Sequence, residues 1–202
     1  MTNTIYSKAH PGRFGLAIDW ETTGSLFGGD STIDYQGVSF GAVIFDTRTF
    51  EPVETLYREL QFDDSKYKWT SGAEKIHGLS REHLATHGVP RDEGLADLLD
   101  LILRHIGADS KIFFLGHNVD FDIDFTLQLA NDFEVPLKVH HVKLETSGAA
   151  FIAIGKYKSD EVFEFFTGKT RDGAHNALDD ALMALEVVRN MRAIFASTFE
   201  TE

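Results

Sequence analysis

Residues 14–21 read FGLAIDWE and alternate between two faces, as the side chains of a β-strand do. One face carries only large apolar side chains, whereas the other carries two small residues followed by Asp19 and Glu21. Side chains two residues apart on a strand point to the same side of the sheet. We therefore predict a central strand that holds two carboxylates on one side of its end.

The two segments that follow extend this strand into an antiparallel meander. Residues 35–45 (YQGVSFGAVIF) and residues 54–62 (ETLYRELQF) are strand-like, and the turn-like sequence DTRTFEP separates them. Residues 25–34 are rich in glycine and weakly patterned, which indicates a loop directly after the first strand. Three antiparallel strands are thus expected before the first long helix.

The rest of the chain alternates strands with helices. Apolar residues from Leu95 to Ile106 follow helical spacing, and KIFFLG at residues 111–116 is a short buried-strand candidate. Further helices are predicted at residues 119–131, 159–166 and 176–195, and a fifth strand at residues 139–144. This order indicates an α/β domain with a mixed sheet flanked by helices. We expect a single domain over residues 1–202, with its core at about 14–195.

The composition limits the kinds of site that the chain can hold. The 202 residues include no cysteine, which excludes disulfides, thiolate nucleophiles and cysteine zinc sites. No apolar run approaches the roughly 20 residues that a membrane span needs, and the start MTNTIYSKAHPGR lacks the apolar core of a signal peptide. We therefore expect a cytoplasmic protein without a membrane partner, in which oxygen or imidazole holds any metal ion.

The net charge bears on nucleic acid as a partner. A formal charge of −13 opposes binding to a phosphate backbone, because nonspecific affinity comes mainly from Lys and Arg. Taken alone, this charge argues against a nucleic-acid protein. The objection weakens if only a few nucleotides at a chain end are held, and if cations bound to clustered carboxylates hold them.

Three segments concentrate groups that can carry chemistry. In residues 19–24 (DWETTG) two acids precede a turn whose N–H groups could meet a phosphate. Residues 116–125 (GHNVDFDIDF) place acids where a buried strand gives way to a helix, the kind of position where α/β sheets bind ligands. Residues 175–180 (HNALDD) open the last helix. If His175 and Asp180 were both helical, they would lie about 140° apart around the helix axis, so they can converge on one site only if His175 precedes the helix.

Each segment also has a purely structural interpretation. The first two acids could be a solvated strand end, and His175 could be a helix cap. Asp120 and Asp124 are predicted to form a capping cluster that interacts with the helix dipole. Spacing within one segment leaves these alternatives open.

Taken together, the segments resemble the motifs of the DEDDh 3′-to-5′ exonucleases, a family of RNase H-like fold that includes proofreading subunits, oligoribonuclease and RNase T. Residues 19–24 (DWETTG) resemble the first motif, residues 117–122 (HNVDFD) the second and residues 175–180 (HNALDD) the third. Residues 73–79 (AEKIHGL) resemble the helix-turn between the first two motifs. The third motif has a His five residues before its Asp, which favours the histidine branch of the family over the tyrosine branch.

The resemblance implies a site and a reaction. The expected metal ligands are Asp19, Glu21, Asp122 and Asp180, and His175 is the expected general base. The expected contacts to the terminal nucleotide are Thr22, Thr23, His77 and Asn118. Two Mg²⁺ ions, for which Mn²⁺ can substitute, would assist hydrolysis of the last phosphodiester of single-stranded DNA or RNA and release a nucleoside 5′-monophosphate. The implied fold is a five-stranded mixed sheet with a three-stranded meander and two parallel strands.

Several alternatives remain. His77 could be a packed helix-turn residue and Asn118 a turn former. An RNase H-like endonuclease or resolvase also uses clustered acids, although such an enzyme gives no reason for the spacing from His175 to Asp180. An inactive module that binds nucleic-acid ends or assists a polymerase is the other alternative, although it has no need of clustered acids. Two features depart from the family pattern, namely the long loop at residues 25–34 and Glu145 where an Asp-Thr pair is common. The sequence decides neither DNA against RNA nor whether the chain acts alone, as a homodimer or with a polymerase.

Overall fold

The first strand, β1 (Phe14–Thr22), lies at the centre of a five-stranded mixed sheet. The computed structural model describes residues 12–24, 34–171 and 175–199. The other strands are β2 (Gly37–Asp46), β3 (Pro52–Glu59), β4 (Phe114–Gly116) and β5 (Leu144–Glu145). Their order is β3-β2-β1-β4-β5; β1, β2 and β3 pair antiparallel, whereas β1, β4 and β5 pair parallel. The predicted meander and parallel pair are confirmed.

Seven helices surround this sheet within the described part of the chain. They are α1 (Ser71–His77), α2 (Arg81–His87), α3 (Arg91–His105), α4 (Val119–Asp132), α5 (Thr146–Ile154), α6 (Ser159–Thr167) and α7 (Ala177–Phe199). Four of them correspond to the periodic segments predicted from sequence, and α1 contains most of the helix-turn that the resemblance implied. Among the described helices, none is both long enough and apolar enough to cross a membrane.

The two faces of β1 pack against different helices. Its large side chains Leu16 and Ile18 are fully buried in a cluster with α3 and α4, and the partly buried Phe14 packs against this cluster. On its other face Ala17 is covered by the small residues Ala181 and Ala184 of α7. The large residues of β1 thus face a thick hydrophobic layer, and its small residues allow α7 to pack closely on the other face.

Gly41 on β2 allows α7 to approach the sheet. A Cβ atom at this position would lie 2.2 Å from the backbone nitrogen of Leu178, so any side chain would displace the start of α7. Gly41 is also the antiparallel partner of Asp19. The close approach therefore brings the first turn of α7, which contains Asp180, next to the acids of β1.

Two predicted strands differ from those observed, and two helices were not predicted. The strands expected at residues 111–116 and 139–144 pair through an isolated bridge between Ile112 and Val139 and again only where β4 meets β5. Between these points the N–H of Val142 donates to Nδ1 of His140, so the backbone leaves the ladder. The helices α2 and α5 were not predicted, and the loop expected at residues 25–34 lies outside the described residues except for its last position.

Candidate active site

Acids from three elements face one cavity of about 200 Å³. Asp19 and Glu21 come from β1, Asp122 from the first turn of α4 and Asp180 from the first turn of α7. His175, which directly precedes Asn176 and the start of α7, completes this group. The structure therefore brings together the five residues expected to form the catalytic set.

Asp122 is held rigidly against β1. The backbone N–H of Trp20 donates to Oδ1 of Asp122 at 3.0 Å. The indole N–H of Trp20 donates to the Thr126 hydroxyl at 2.9 Å, and that hydroxyl donates to the Asp122 carbonyl at 2.7 Å. Because Asp122 is only 2% exposed, these contacts fix the direction in which its carboxylate faces the cavity.

The start of α7 positions His175 and Asp180 together. The Asn176 side chain accepts hydrogen bonds from the N–H groups of Leu178 and Asp179, which caps the helix and leaves His175 outside it. Nδ1 of His175 lies 3.4 Å from Oδ2 of Asp180. One potential ligand atom from each of Glu21, His175 and Asp180 lies within 4.8 Å of the other two. His175 thus lies on the loop, as convergence of this motif requires.

The electrostatics of the acids fit a bound cation. Burial, followed by repulsion from Asp122, Asp180 and Glu21, raises the pKa of Asp19 well above its ordinary value. Burial and the neighbouring Asp180 raise the pKa of Glu21 from 4.5 to about 7. Oε1 of Glu21 is buried and has no hydrogen-bond partner among the described residues. A donor set of carboxylate oxygens, one of them without a partner, matches the preference of hard cations such as Mg²⁺ and Mn²⁺.

Arg171 is a member of the site that sequence reasoning missed. Its Nη1 donates to Oδ2 of Asp180 at 2.8 Å, and its Nη2 lies 2.6 Å from Oδ1 of the same residue. Its Nε donates to Asp160 at 2.8 Å. The guanidinium is mostly buried and supplies positive charge beside the acids, which partly opposes the rise in the pKa of Asp180. In the sequence, only its position four residues before His175, close to the third motif, could have suggested that Arg171 belongs to the site.

His117 and Glu145 support the wall of the cavity. His117 lines it and its Nδ1 lies 2.8 Å from the hydroxyl of Thr146. The Glu145 carboxylate accepts from the N–H groups of Asn118 and Val119 at the start of α4, and from Ser147 in α5. Glu145, a departure from the family pattern, therefore caps two helices on the side of the cavity.

A second cavity of about 430 Å³ adjoins the acids. Both cavities are lined by Trp20, Glu21 and Phe121. Two of the four predicted substrate contacts, Thr22 and His77, line the second cavity. His77 is 6% exposed, and burial lowers its pKa, which favours the neutral imidazole.

The other two predicted substrate contacts have structural surroundings. Thr23 is fully buried, and its hydroxyl accepts a hydrogen bond from the N–H of Gln36 at 2.9 Å. Asn118 adopts a left-handed conformation with φ of 63° directly before α4 and is exposed. Asparagine tolerates this conformation better than most residues, so Asn118 serves as the turn former considered as an alternative above. Neither residue belongs to the lining of the two cavities.

Asp120 and Asp124 lie in the first part of α4 but outside the acid cluster. Asp120 forms an ion pair with Lys143, and its side chain is 68% exposed. Burial raises the pKa of Asp124, and repulsion from Asp120 adds to this effect. Neither lines the first cavity, so among the three alternating acids only Asp122 faces the site.

Comparisons with known proteins agree with this geometry. A family model described as "Exonuclease" matches residues 16–188. The nuclease domain of 3′hExo, a DEDDh family member bound to rAMP, is similar in structure, with 17% identity over 90% of this chain and 92% of that one and a TM-score of 0.68.

Exonuclease I of E. coli in a complex with single-stranded DNA and zinc is also similar in structure, with 17% identity and a TM-score of 0.73. That match covers 90% of this chain, which spans only 41% of the exonuclease I chain. Comparison with curated protein sequences gave no match. Because the family model covers most of its length, the chain belongs to the exonuclease family, as its three sequence motifs led us to expect.

Proposed function

We propose that this protein is a divalent-metal-dependent 3′-to-5′ exonuclease that releases nucleoside 5′-monophosphates from single-stranded ends. The observation that carries the proposal is the convergence of four acids and His175 on one cavity beside a second, open cavity. The first cavity supplies the groups for hydrolysis, and the second supplies room for the terminal nucleotide. A cytoplasmic location and a single-domain organisation stay predictions.

The acids are proposed to hold two cations. Asp19, Glu21, Asp122 and Asp180 are the proposed ligands, and Mg²⁺ with Mn²⁺ as a substitute suits their oxygen atoms. Such ions, when bound, activate water and stabilise the charge that develops on the leaving 3′ oxygen. His175 is proposed to accept the proton of the attacking water, and its side chain, which is 41% exposed, can pass that proton to solvent.

The second cavity is proposed to orient the terminal nucleotide. Phe121, shared by both cavities, is placed to contact a base or sugar at their junction, while Thr22 and His77 offer polar groups. Thr23 and Asn118 are proposed to act indirectly, by shaping the turns that carry Thr22 and His117. Similar structures include complexes with a DNA oligonucleotide, dT13, and with rAMP, so either sugar is compatible with the proposal.

Labelled oligonucleotides test this function directly. Single-stranded DNA and RNA carrying 5′ labels should give a ladder of products shortened from the 3′ end in Mg²⁺ and no products in EDTA. A 3′-phosphate should slow cutting, and a circular single strand should stay intact. Rapid cutting of the circle would instead indicate an endonuclease, and full activity with metal rigorously removed would contradict the role of the acids.

Metal and pH should act together on stability. The folded state raises the pKa of Glu21 from 4.5 to about 7, so it binds this proton more tightly than the unfolded chain does. The resulting stabilisation is present below pH 4.5 and is lost as the pH rises through about 7, a loss of about 3 kcal/mol from Glu21 alone. In EDTA the melting temperature should therefore fall as the pH rises from about 5 to about 8.

Adding Mg²⁺ or Mn²⁺ at the upper end of this range should restore the melting temperature, because cations bind the charged carboxylates. The Glu21→Gln variant should show a weaker dependence on pH in EDTA. Differential scanning calorimetry checks both points. If the stability of the metal-free protein does not change over this pH range, the folded state does not raise the pKa of Glu21.

The second motif offers a matched pair of variants. Asp122→Asn should abolish cleavage, because Asp122 is buried in the cavity wall, whereas Asp120→Asn should stay close to wild type, because Asp120 faces solvent and Lys143. The two substitutions make the same chemical change two residues apart. Initial rates on a single-stranded oligonucleotide decide the point, and the reverse pattern would show that the wrong acid has been assigned.

A further inference from the structure

Two aromatic side chains are exposed together beside the first cavity. Phe151 at the end of α5 and Tyr157 in the turn before α6 are each 59% exposed. Their rings meet edge to face with centroids 6.4 Å apart. Exposed aromatic pairs of this kind provide flat apolar surface that water solvates poorly.

Two lysines flank this aromatic pair. Lys156 and Lys158 are exposed, and neither forms a salt bridge within residues 12–24, 34–171 and 175–199. Other lysines do pair with carboxylates, namely Lys66, Lys68, Lys138, Lys143 and Lys169. In a chain with a net charge of −13, two lysines that remain available on either side of Tyr157 form a local positive surface.

This turn adjoins the candidate active site. The backbone of Tyr157 faces the imidazole of His117, which lines the first cavity, and partly opposes the lowering of its pKa by burial. Ser159, two residues after Tyr157, lines the same cavity. The nearest acid of α6, Asp160, is engaged by Arg171 and so adds little repulsion. A strand that leaves the cavity on this side would meet Tyr157 and the lysines.

We propose that Lys156, Tyr157 and Lys158 form a binding site for the nucleotides upstream of the 3′ end of a single strand. A base stacks on the ring of Tyr157, and the two ammonium groups contact the flanking phosphates. This inference rests on the proposed exonuclease function, but it concerns the length of strand that the protein holds rather than the chemistry.

The lysines distinguish a nucleic-acid strand from a protein partner. Lysine is depleted in protein interfaces, where an apolar core with few charges is usual. An aromatic ring flanked by available cations is instead the combination found where single-stranded nucleic acid is bound without sequence preference. The charge of the surface therefore matches a polyanion better than a second copy of this acidic chain.

Oligothymidylates of increasing length test the site in the wild-type protein and three variants. The kcat/KM of wild type in Mg²⁺ should rise from the dinucleotide to longer strands. Tyr157→Ala should lower kcat/KM on the longer strands by roughly 5- to 150-fold, which corresponds to the loss of one stacked base, whereas Tyr157→Phe should keep most of the rise with length. Lys156→Ala combined with Lys158→Ala should reduce the slope of log kcat/KM against log salt by about 1.4.

A matched control removes the same charge elsewhere. Lys111 and Lys138 lie at the opposite end of β4, on either side of the Ile112 to Val139 bridge. The Lys111→Ala and Lys138→Ala double variant should keep the length dependence and the salt slope of wild type. An equal loss in both double variants would show a general charge effect and would overturn the site.

Two other outcomes would also overturn it. One is an unchanged length dependence in Tyr157→Ala. If light scattering also shows that wild type is a dimer and that Tyr157→Ala is a monomer, the exposed surface is an interface between two copies of the chain. A loss equally large on the dinucleotide would show that the turn acts only through His117. If wild type cuts no oligothymidylate or oligouridylate of any length, the proposed function itself fails, which is a distinct result.

Discussion

The Asp180→Asn variant is expected to lose essentially all exonuclease activity while remaining folded. Asp180 faces Glu21 and His175 across the cavity, and its side chain is only 9% exposed. An amide has nearly the same shape as the carboxylate but supplies no negative charge to a divalent cation. Since metal ions contribute several kcal/mol of transition-state stabilisation, kcat/KM should fall by roughly 10³-fold or more.

Asp179→Asn is the matched control for this variant. Asp179 is adjacent in sequence and exposed on α7, so the same change in charge should leave kcat/KM near that of wild type. Isothermal titration with Mn²⁺ should show weakened binding in Asp180→Asn only. Activity within tenfold of wild type in Asp180→Asn, or a comparable loss in Asp179→Asn, would show that the third motif has been aligned incorrectly.

Folding of Asp180→Asn should not be the cause of its inactivity. Burial raises the pKa of Asp180, which means that its charged form is costly in the folded protein without a cation. The Arg171 guanidinium, which loses one of its two contacts to the side chain of residue 180 in this variant, keeps its hydrogen bond to Asp160. The melting temperature in EDTA should therefore stay close to that of wild type, and circular dichroism checks this directly.

The central strand and its two acids could be predicted because their signals are local, whereas Asp122 and Asp180 were assigned from the resemblance to the family motifs. The alternation in β1 reflects the two layers that pack on either face of the sheet, so the sequence alone indicated which side carries Asp19 and Glu21. The position of His175 outside α7 followed from helical geometry, since both ends of its motif must reach one site. These arguments need only the residues within one element.

Other elements were missed because their stability comes from distant contacts. The helix α5 has the sequence TSGAAFIAI, which is apolar on every side and has no one-sided stripe. Ala150 is buried with Val162 and Met191 of the neighbouring helices, whereas Phe151 and Ile152 are exposed. Short apolar runs of this kind cannot be assigned to a helix or a strand from periodicity, and their packing partners decide.

The roles of single polar residues were also beyond the sequence. Arg171 contacts Asp180 although it lies nine residues earlier in the chain and outside the three motifs. Thr23 belongs to the same motif as Thr22, but its hydroxyl turns toward Gln36 instead of the second cavity. A motif gives the order of residues along the chain, whereas the direction of each side chain depends on neighbours from other segments.

His175→Ala should separate proton transfer from metal binding at the same site. As a general base, His175 should be worth roughly 10²- to 10⁴-fold in kcat. The affinity for Mn²⁺ should stay near wild type, because four acids remain to hold the ions. The alternative is that His175 is itself a ligand, which its distance of less than 4.8 Å from the nearest atoms of Glu21 and Asp180 would allow.

Added imidazole distinguishes the two roles, because a small base can replace a missing proton acceptor without being tied to the chain. His175 is 41% exposed in its side chain, so its removal leaves a space open to solvent that imidazole can enter. Imidazole should therefore restore part of the rate of His175→Ala in Mg²⁺, in proportion to its neutral form, and should not restore Asp180→Asn. If His175→Ala keeps normal turnover, or loses Mn²⁺ binding as Asp180→Asn does, His175 is not the general base.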